Sequence, residues 1–206
     1  MKEDLNNKDV VLVLATRNAG KIGEIKLGLA GLPIRVTVAD DYPGFPEVEE
    51  TESTLRGNAA LKSKALFEFL GRPSLADDTG LEVDALDGRP GVMSARYAGN
   101  HCSPADNRVL LMEELANVSQ REARFRTVLA FTDASGTTFF EGVCEGQILS
   151  VERGTGGFGY DAIFKPEGSD LSFAEMSADR KNAISHRGHA ISQFSDFMRD
   201  YGRARS

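Results

Sequence analysis

Val10-Val-Leu-Val-Leu-Ala15 is an unbroken apolar run rich in β-branched residues, and it reads as a buried strand. It stops in Thr16-Arg-Asn-Ala-Gly-Lys21, after which Ile22, Ile25, Leu27 and Leu29 begin a helix-like pattern. Strand, glycine-bearing polar loop and helix is the arrangement that aims backbone amides and the positive end of a helix dipole at an anion. Lys21 would add a mobile point charge for a phosphate, and Asn18 an amide able to donate or accept. The GxxxxGK[ST] spacing of a Walker A loop is absent. The other reading of the segment is an ordinary βα connection with a solvated lysine.

The second constraining stretch is Leu75-Ala-Asp-Asp-Thr-Gly80. An apolar lead-in delivers two consecutive carboxylates, Asp77 and Asp78, and Thr79-Gly80 reads as a turn pair. Adjacent acids repel, so a buried strand end gains little from them. A hard divalent cation such as Mg²⁺ does explain them, because it selects carboxylate oxygens and shares them with substrate phosphates. A turn in which Asp caps a backbone amide is the alternative.

The rest of the chain supplies elements around these two stretches. Residues 33–38 read as a short strand. Glu47, Glu49, Glu50 and Glu52 crowd one place, either as a solvated face or with one member completing a metal shell. Thr51 or Ser53 is expected to cap a helix over Leu55 to Leu70, with Leu61, Ala65, Leu66 and Phe69 as its apolar stripe. On that helix Asn58 and Lys62 share a face. Leu81–Leu86 alternates, Asp87–Gly91 reads as a loop, and Arg96, beside an aromatic, reads either as a surface arginine or as a ligand for a phosphate or a carboxylate. A helix over Pro104 to Ala116, starting near Ser103, should turn Val109, Leu110, Met112 and Leu115 inward. Phe125–Thr132 and Thr137–Val143 flank Asp133-Ala-Ser-Gly136, a hairpin signal with a four-residue loop, and another strand is expected around Glu145 to Val151. Antiparallel pairs in the middle and a βα unit at the start predict a mixed sheet.

Gly154-Thr-Gly-Gly-Phe-Gly-Tyr-Asp161 is the most glycine-dense stretch. Glycine permits close approach of backbone to a ligand, and Phe158 and Tyr160 suit stacking on a flat base or walling a pocket. Ser177–Ala190 carries Lys181, His186 and Arg187 into an amphipathic helix ending near Tyr201. His186 and His189 lack the Cys or third His that a zinc site needs.

Charge narrows the partner classes. The 206 residues hold 24 Lys plus Arg against 31 Asp plus Glu, a formal charge of −7, which argues against direct nucleic-acid binding. One nucleotide in a local basic pocket remains compatible with that balance. Cys102 and Cys144 form no CxxC, the first residues are polar and unlike a signal peptide, and no apolar run approaches the ~18 residues of a membrane span. The expected setting is cytoplasmic, with no membrane contact. Residues 1–9 and 202–206 are expected to be flexible tails on a single domain.

Five of these segments, in order, resemble one family, the inosine triphosphate pyrophosphatases (RdgB/Ham-like). They are Thr16–Lys21, Ala76–Leu86, Pro90–Gly99, Gly154–Asp161 and Lys181–Arg187. The resemblance implies an elongated mixed α/β fold of two lobes around a central nucleotide cleft, usually dimeric. It also implies Mg²⁺-dependent hydrolysis of purine nucleoside triphosphates such as ITP, dITP and XTP to monophosphate and pyrophosphate, which keeps them out of DNA and RNA. By analogy Thr16, Arg17, Asn18, Ala19, Gly20 and Lys21 hold the phosphates, with Lys62 also directed at them. Asp78 matches the family's essential acid, as Mg²⁺ ligand and proton acceptor, with Thr79 next to it. Glu50 aligns with a metal-associated glutamate, although Glu49 is its close neighbour. Phe158, Gly159, Tyr160, Asp161, Lys181, His186 and Arg187 match positions around base and sugar. Arg17, Thr79, Met93 and Ala162 stand where the family commonly has glycine, serine, tyrosine and proline. Selectivity is expected from donors facing the C6 oxygen, namely backbone amides near Phe158–Asp161 with His186 or Arg187.

Overall fold

The computed structural model describes residues 10–203, so the tail expected at residues 1–9 and the part 204–206 of that expected at 202–206 lie outside the described residues, while 202–203 belong to the last helix. In chain order the elements are β1 (Val10–Leu14), α1 (Ala19–Gly28), β2 (Ile34–Val38), α2 (Leu55–Leu70), β3 (Ser74–Val83), β4 (Pro90–Gly91), α3 (Pro104–Glu114), β5 (Glu122–Asp133), β6 (Gly136–Ile148), β7 (Phe164–Pro166), α4 (Ala178–Ile184) and α5 (His186–Arg203). The strands join one mixed sheet in the order β2-β1-β3-β5-β6-β7, with β4 against β3. β1 runs parallel to β2 and β3, while β3, β5, β6 and β7 are antiparallel in succession. The mixed sheet expected from the sequence is therefore present. In β1, Leu12, Val13 and Leu14 have no solvent exposure, as an unbroken apolar run requires.

Local chemistry fixes the element ends. Asn18 caps α1 by accepting from the Lys21 amide. The cap of α2 is Thr54, which accepts from the Gly57 amide at 3.0 Å, so neither Thr51 nor Ser53 has that role. Gly71 closes α2 in the left-handed conformation, φ 62°. Leu66 lies on the buried stripe as expected, but Phe69 faces outward. In α3 the inward face is Asn107, Leu111 and Leu115, a strict i, i+4, i+8 row. Leu115 is inward as expected and Met112 packs against the same core, whereas Val109, expected inside, is exposed. The hairpin is tighter than expected: Asp133 pairs with Gly136, leaving Ala134-Ser135 as a two-residue loop. The strand expected at 145–151 is the continuation of β6 to Ile148. The final helical stretch breaks at Ser185, extended at ψ 156°, and α5 continues past Tyr201 to Arg203.

The largest departure concerns Thr79-Gly80. No turn occurs there; β3 runs straight through, each residue from Ser74 to Val83 opposite one of β5 from Thr132 to Ala123. Gly80 is needed for close approach, since a Cβ on it would lie 2.8 Å from the Gly91 carbonyl oxygen.

The long β5–β6 hairpin carries a separate core at each end. Phe125, Cys144 and Ile148 pack with Leu81, Leu111, Phe164 and Phe173 at one end. Leu129, Phe131 and Phe140 pack with Leu12, Ile25, Ile191 and Phe194 at the other. Between the two cores lies a cleft.

Candidate active site

The cleft follows from an interruption along β3. On one side β3 pairs with β5 throughout. On the other, β1 accompanies it only to Leu75, and β4 joins only at Leu81. The edge from Ala76 to Gly80 therefore faces the cleft. Successive side chains of a strand point to opposite faces, so the adjacent acids are parted rather than crowded.

Asp77 points toward α1 and α5 and is fully buried. Its Oδ1 lies 2.9 Å from Lys21 Nζ and its Oδ2 3.1 Å from Arg187 Nε. Thr79, on the same face, donates to Asp77 and accepts from Arg187 Nη2 at 3.0 Å. Burial opposes the Asp77 charge, but Lys21, Arg187 and Lys62 outweigh it and hold the carboxyl well below the usual carboxylate range.

Asp78 points the other way, toward α2. Lys62 Nζ donates to Asp78 Oδ1 at 2.8 Å, to Glu50 Oε1 at 2.7 Å and to the Asp77 carbonyl at 3.0 Å. Arg96 Nη1 holds the other Glu50 oxygen at 3.0 Å. Burial pushes the Asp78 carboxyl up to about 6, with the Glu50 charge adding and Lys62 offsetting part of the rise. At Glu50 the same opposition resolves downward, because Lys62 and Arg96 outweigh burial. Glu49 is exposed, so Glu50 is the member of the acidic run that meets Asp78.

Two adjoining cavities meet at this centre. One of about 680 Å³ is lined by Thr16, Arg17, Asn18, Lys21, Glu47, Glu49, Glu50, Lys62 and Arg96 among others. The second, of about 380 Å³, is lined by Asp78, Thr79, Phe125, Phe158, Gly159, Tyr160, Asp161, Lys181, His186 and Arg187 among others. Asn18, Lys21, Glu50 and Ala95 line both. The first is rich in cations and the amides of a helix start, the second in rings.

In the second cavity Lys181 Nζ lies 2.5 Å from Asp161 Oδ2 and 4.7 Å from the centre of the Phe158 ring. Asp161 also accepts from the Phe158 amide at 2.8 Å, so that amide is committed to the loop's own turn. Gly157 makes the turn possible: its φ is 69°, and a Cβ would lie 2.1 Å from Asp161 Oδ2. His186 stacks on Phe125 with ring centres 4.5 Å apart. Burial first, and then the Arg187 and Lys181 charges, keep His186 well below its ordinary value and so neutral at pH 7. Its Nδ1 is buried with no hydrogen-bond partner among the described residues.

The Ham1 family's sequence profile matches residues 12–197. The chain belongs to the Ham1 family. It is 48% identical over 188 residues to the dITP/XTP pyrophosphatase of Porphyromonas gingivalis, covering 91% of this chain and 96% of that protein. It is 45% identical to the dITP/XTP pyrophosphatase of Geobacter sulfurreducens, with 91% and 96% covered. The fold matches the Staphylococcus aureus Ham1 protein at a TM-score of 0.84 and 38% identity, over 93% of this chain and 99% of that one.

Within this Ham1-family cleft, every residue expected at the site from the sequence lines one of the two cavities except Ala19 and Gly20. Those two form the start of α1, and Gly20 abuts Phe158 instead. Asn58 shares the Lys62 face but is buried, accepting from the Glu52 amide at 3.0 Å. Of the two roles the sequence left open for Arg96 beside a surface place, phosphate or carboxylate, the structure shows the carboxylate, while Glu24 is the participant that the sequence reading missed. Arg96 pairs with Glu50, and Glu24 pairs with Lys181 and Arg187. Glu24 stands at i+3 from Lys21 on one helix face, which is the signal that would have found it.

Proposed function

We propose that the chain hydrolyses the purine nucleoside triphosphates ITP, dITP and XTP to the monophosphate and pyrophosphate, as a Mg²⁺-dependent, cytoplasmic, homodimeric enzyme. The observation that carries this reading is the Lys62-bridged pair of Asp78 and Glu50, set between a helix-start phosphate loop and a ring-lined cavity. The names of the relatives agree with it. No helix among the described residues is long and apolar enough to cross a membrane.

Asp78 and Glu50 fit a hard divalent ion by the chemistry of their donors: two carboxylates already converge on one cation, the Lys62 ammonium. No group of three or more such side chains is disposed to hold a metal among the described residues, so water and substrate phosphates would supply the remaining ligands. When bound, Mg²⁺ would neutralise charge gathering on the leaving pyrophosphate.

The chain's own residues do the rest. The amides at the start of α1 and the Lys21 and Lys62 ammonium groups receive the polyphosphate. Asp78, with a carboxyl near 6, is ionised at neutral pH and still basic enough to take a proton from the water that attacks the α-phosphorus. Phe158 offers a face to the base. For selectivity, the Phe158 amide is already used and Arg187 is engaged through Nε, Nη1 and Nη2, so neither is the expected donor. Neutral His186 lines the ring-lined cavity and its buried Nδ1 has no hydrogen-bond partner among the described residues, so of the expected donors it is the one left to read a C6 oxygen. A buried group left unpaired by adenine penalises it.

One assay tests the proposal. ITP and ATP are incubated with Mg²⁺, and pyrophosphate and orthophosphate are measured separately. Pyrophosphate from ITP in large excess over ATP supports it; orthophosphate as the first product, or equal turnover of the two nucleotides, overturns it.

A further inference from the structure

We infer that Glu24 is a positioning residue that ties base recognition to the phosphate loop. The inference rests on the nucleotide reading of the cleft. Glu24 lines neither cavity, so it acts through others. Its carboxylate is divided between two cations of the ring-lined cavity: Oε1 lies 2.7 Å from Lys181 Nζ, and Oε2 accepts from Arg187 Nη1. Arg187 continues to Asp77, and Asp77 to Lys21. The result is an alternating chain, Lys181–Glu24–Arg187–Asp77–Lys21, in which each carboxylate bridges two cations.

Burial makes this chain stiff. The side chains of Arg187 and Asp77 are 1% and 0% exposed, and that of Glu24 only 12%. In so little water each charge holds its neighbours strongly, and removing one leaves the next uncompensated. The chain also has a mechanical end point. Glu24 and Lys21 lie on one face of α1, the helix whose first turn and Asn18 cap form the phosphate loop. A base that sets Lys181 and Arg187 in place therefore sets α1, and with it the groups that receive the polyphosphate. A base that disturbs either cation disturbs both sites together. Selectivity would then appear in kcat as well as in KM.

The test compares Glu24→Gln with wild type, using ITP and ATP with Mg²⁺ and reading kcat and KM separately. The expected result is a fall of about tenfold or more in kcat/KM for ITP, the scale set by breaking a buried charge pair, with a much smaller change for ATP. The fall should lie partly in kcat. Glu24→Asp keeps the charge with shorter reach and should narrow the ITP preference less. Equal losses for both nucleotides would reduce Glu24 to a structural staple and overturn the inference, as would an unchanged preference. If Glu24→Gln does not fold, Glu24→Asp decides: a narrowed preference supports the inference and a wild-type preference overturns it. If wild type releases no pyrophosphate from ITP, the proposed function fails by itself. The inference is then read from binding of IMP and AMP to the two proteins, where selective loss of IMP supports it and equal binding overturns it.

Discussion

Gly20 and Phe158 are packed so closely that a Cβ on Gly20 would lie 2.4 Å from Phe158 Cδ1. The first belongs to the loop proposed to receive phosphate, the second to the glycine-rich loop that walls the ring-lined cavity. This contact, with the charge chain behind it, ties the two halves of the cleft together. Gly20→Ala must push the Phe158 ring away from its place beside Lys181 and Arg187. Steady-state kinetics should show kcat/KM for ITP down by about 10- to 100-fold, the cost of misplacing a positioning group by the order of an ångström. Gly23→Ala is the control, because a Cβ there meets nothing within 4 Å. It should leave activity unaltered and raise stability by up to ~1 kcal/mol, the helix preference of Ala over Gly.

The Asp78 carboxyl, pushed up to about 6 by burial and by Glu50, sets a pH limb. As a proton acceptor Asp78 works ionised, so kcat/KM should fall as pH drops through about 6, with the slope of one proton. A metal ion competes with that proton, so raising Mg²⁺ should move the limb to lower pH. Asp78→Asn should abolish the limb along with most of the turnover, by ~10²–10⁴-fold for loss of a positioned base. A profile flat from pH 5 to 8 in wild type would count against the assignment.

Lys62 bridges Asp78 and Glu50, and with Lys21 it holds the Asp78 carboxyl lower than burial and Glu50 alone would leave it. Lys62→Met should therefore shift the acid limb to higher pH as well as lower kcat. The shift separates an electrostatic role from a contact with phosphate alone, which would lower the rate with the limb in place.

How far the sequence spoke for this site depended on distance along the chain. β1, the span of α2, the Ser103 start of α3 and the mixed sheet were legible because period, cap and turn chemistry are local. The Thr79-Gly80 turn was misread because the strand is held straight by β5, some fifty residues away in sequence, and Gly80 serves a contact with Gly91 that no local pattern encodes. The cavity-lining residues were legible through the resemblance of short motifs. Glu24 was not, since its partners Lys181 and Arg187 arrive only when α4 and α5 pack on α1. The choice between Glu49 and Glu50 likewise needed Lys62 and Arg96 in place.

Gly142 shows how α5 is seated. A Cβ there would lie 2.0 Å from the His186 carbonyl oxygen and 2.7 Å from the Ala190 amide nitrogen, both backbone. The helix start that carries His186 and Arg187 rests directly on β6. Gly142→Ala must lift it, at a cost of about 1–3 kcal/mol or more by overpacking. Chemical denaturation should report that loss, and ITP turnover at temperatures well below the transition should fall with it. A stable variant with full activity would show that α5 can shift without consequence.

The adjacent acids Asp77 and Asp78 should respond in opposite senses to the same neutralising change. Asp77 is held well below 3.8, so its ionisation stabilises the fold above that pH and the contribution is lost as pH falls. Asp77→Asn leaves Lys21 and Arg187 short of a buried partner and should destabilise by about 3–5 kcal/mol at pH 7. Asp78 has the reverse sign. Its carboxyl is raised, so its contribution is full below 3.8 and is lost as pH rises through about 6, and at pH 7 its charge is a burden on the free enzyme. Asp78→Asn should leave stability at pH 7 unchanged or increased while removing activity. Denaturation midpoints of the two variants at pH 5 and pH 7 decide the matter. The gap between Asp78→Asn and wild type should shrink at pH 5, where wild-type Asp78 is itself protonated, whereas the Asp77→Asn deficit should persist at both. Equal destabilisation by the two substitutions at pH 7 would mean that the opposite faces of β3 do not separate a structural acid from a reactive one.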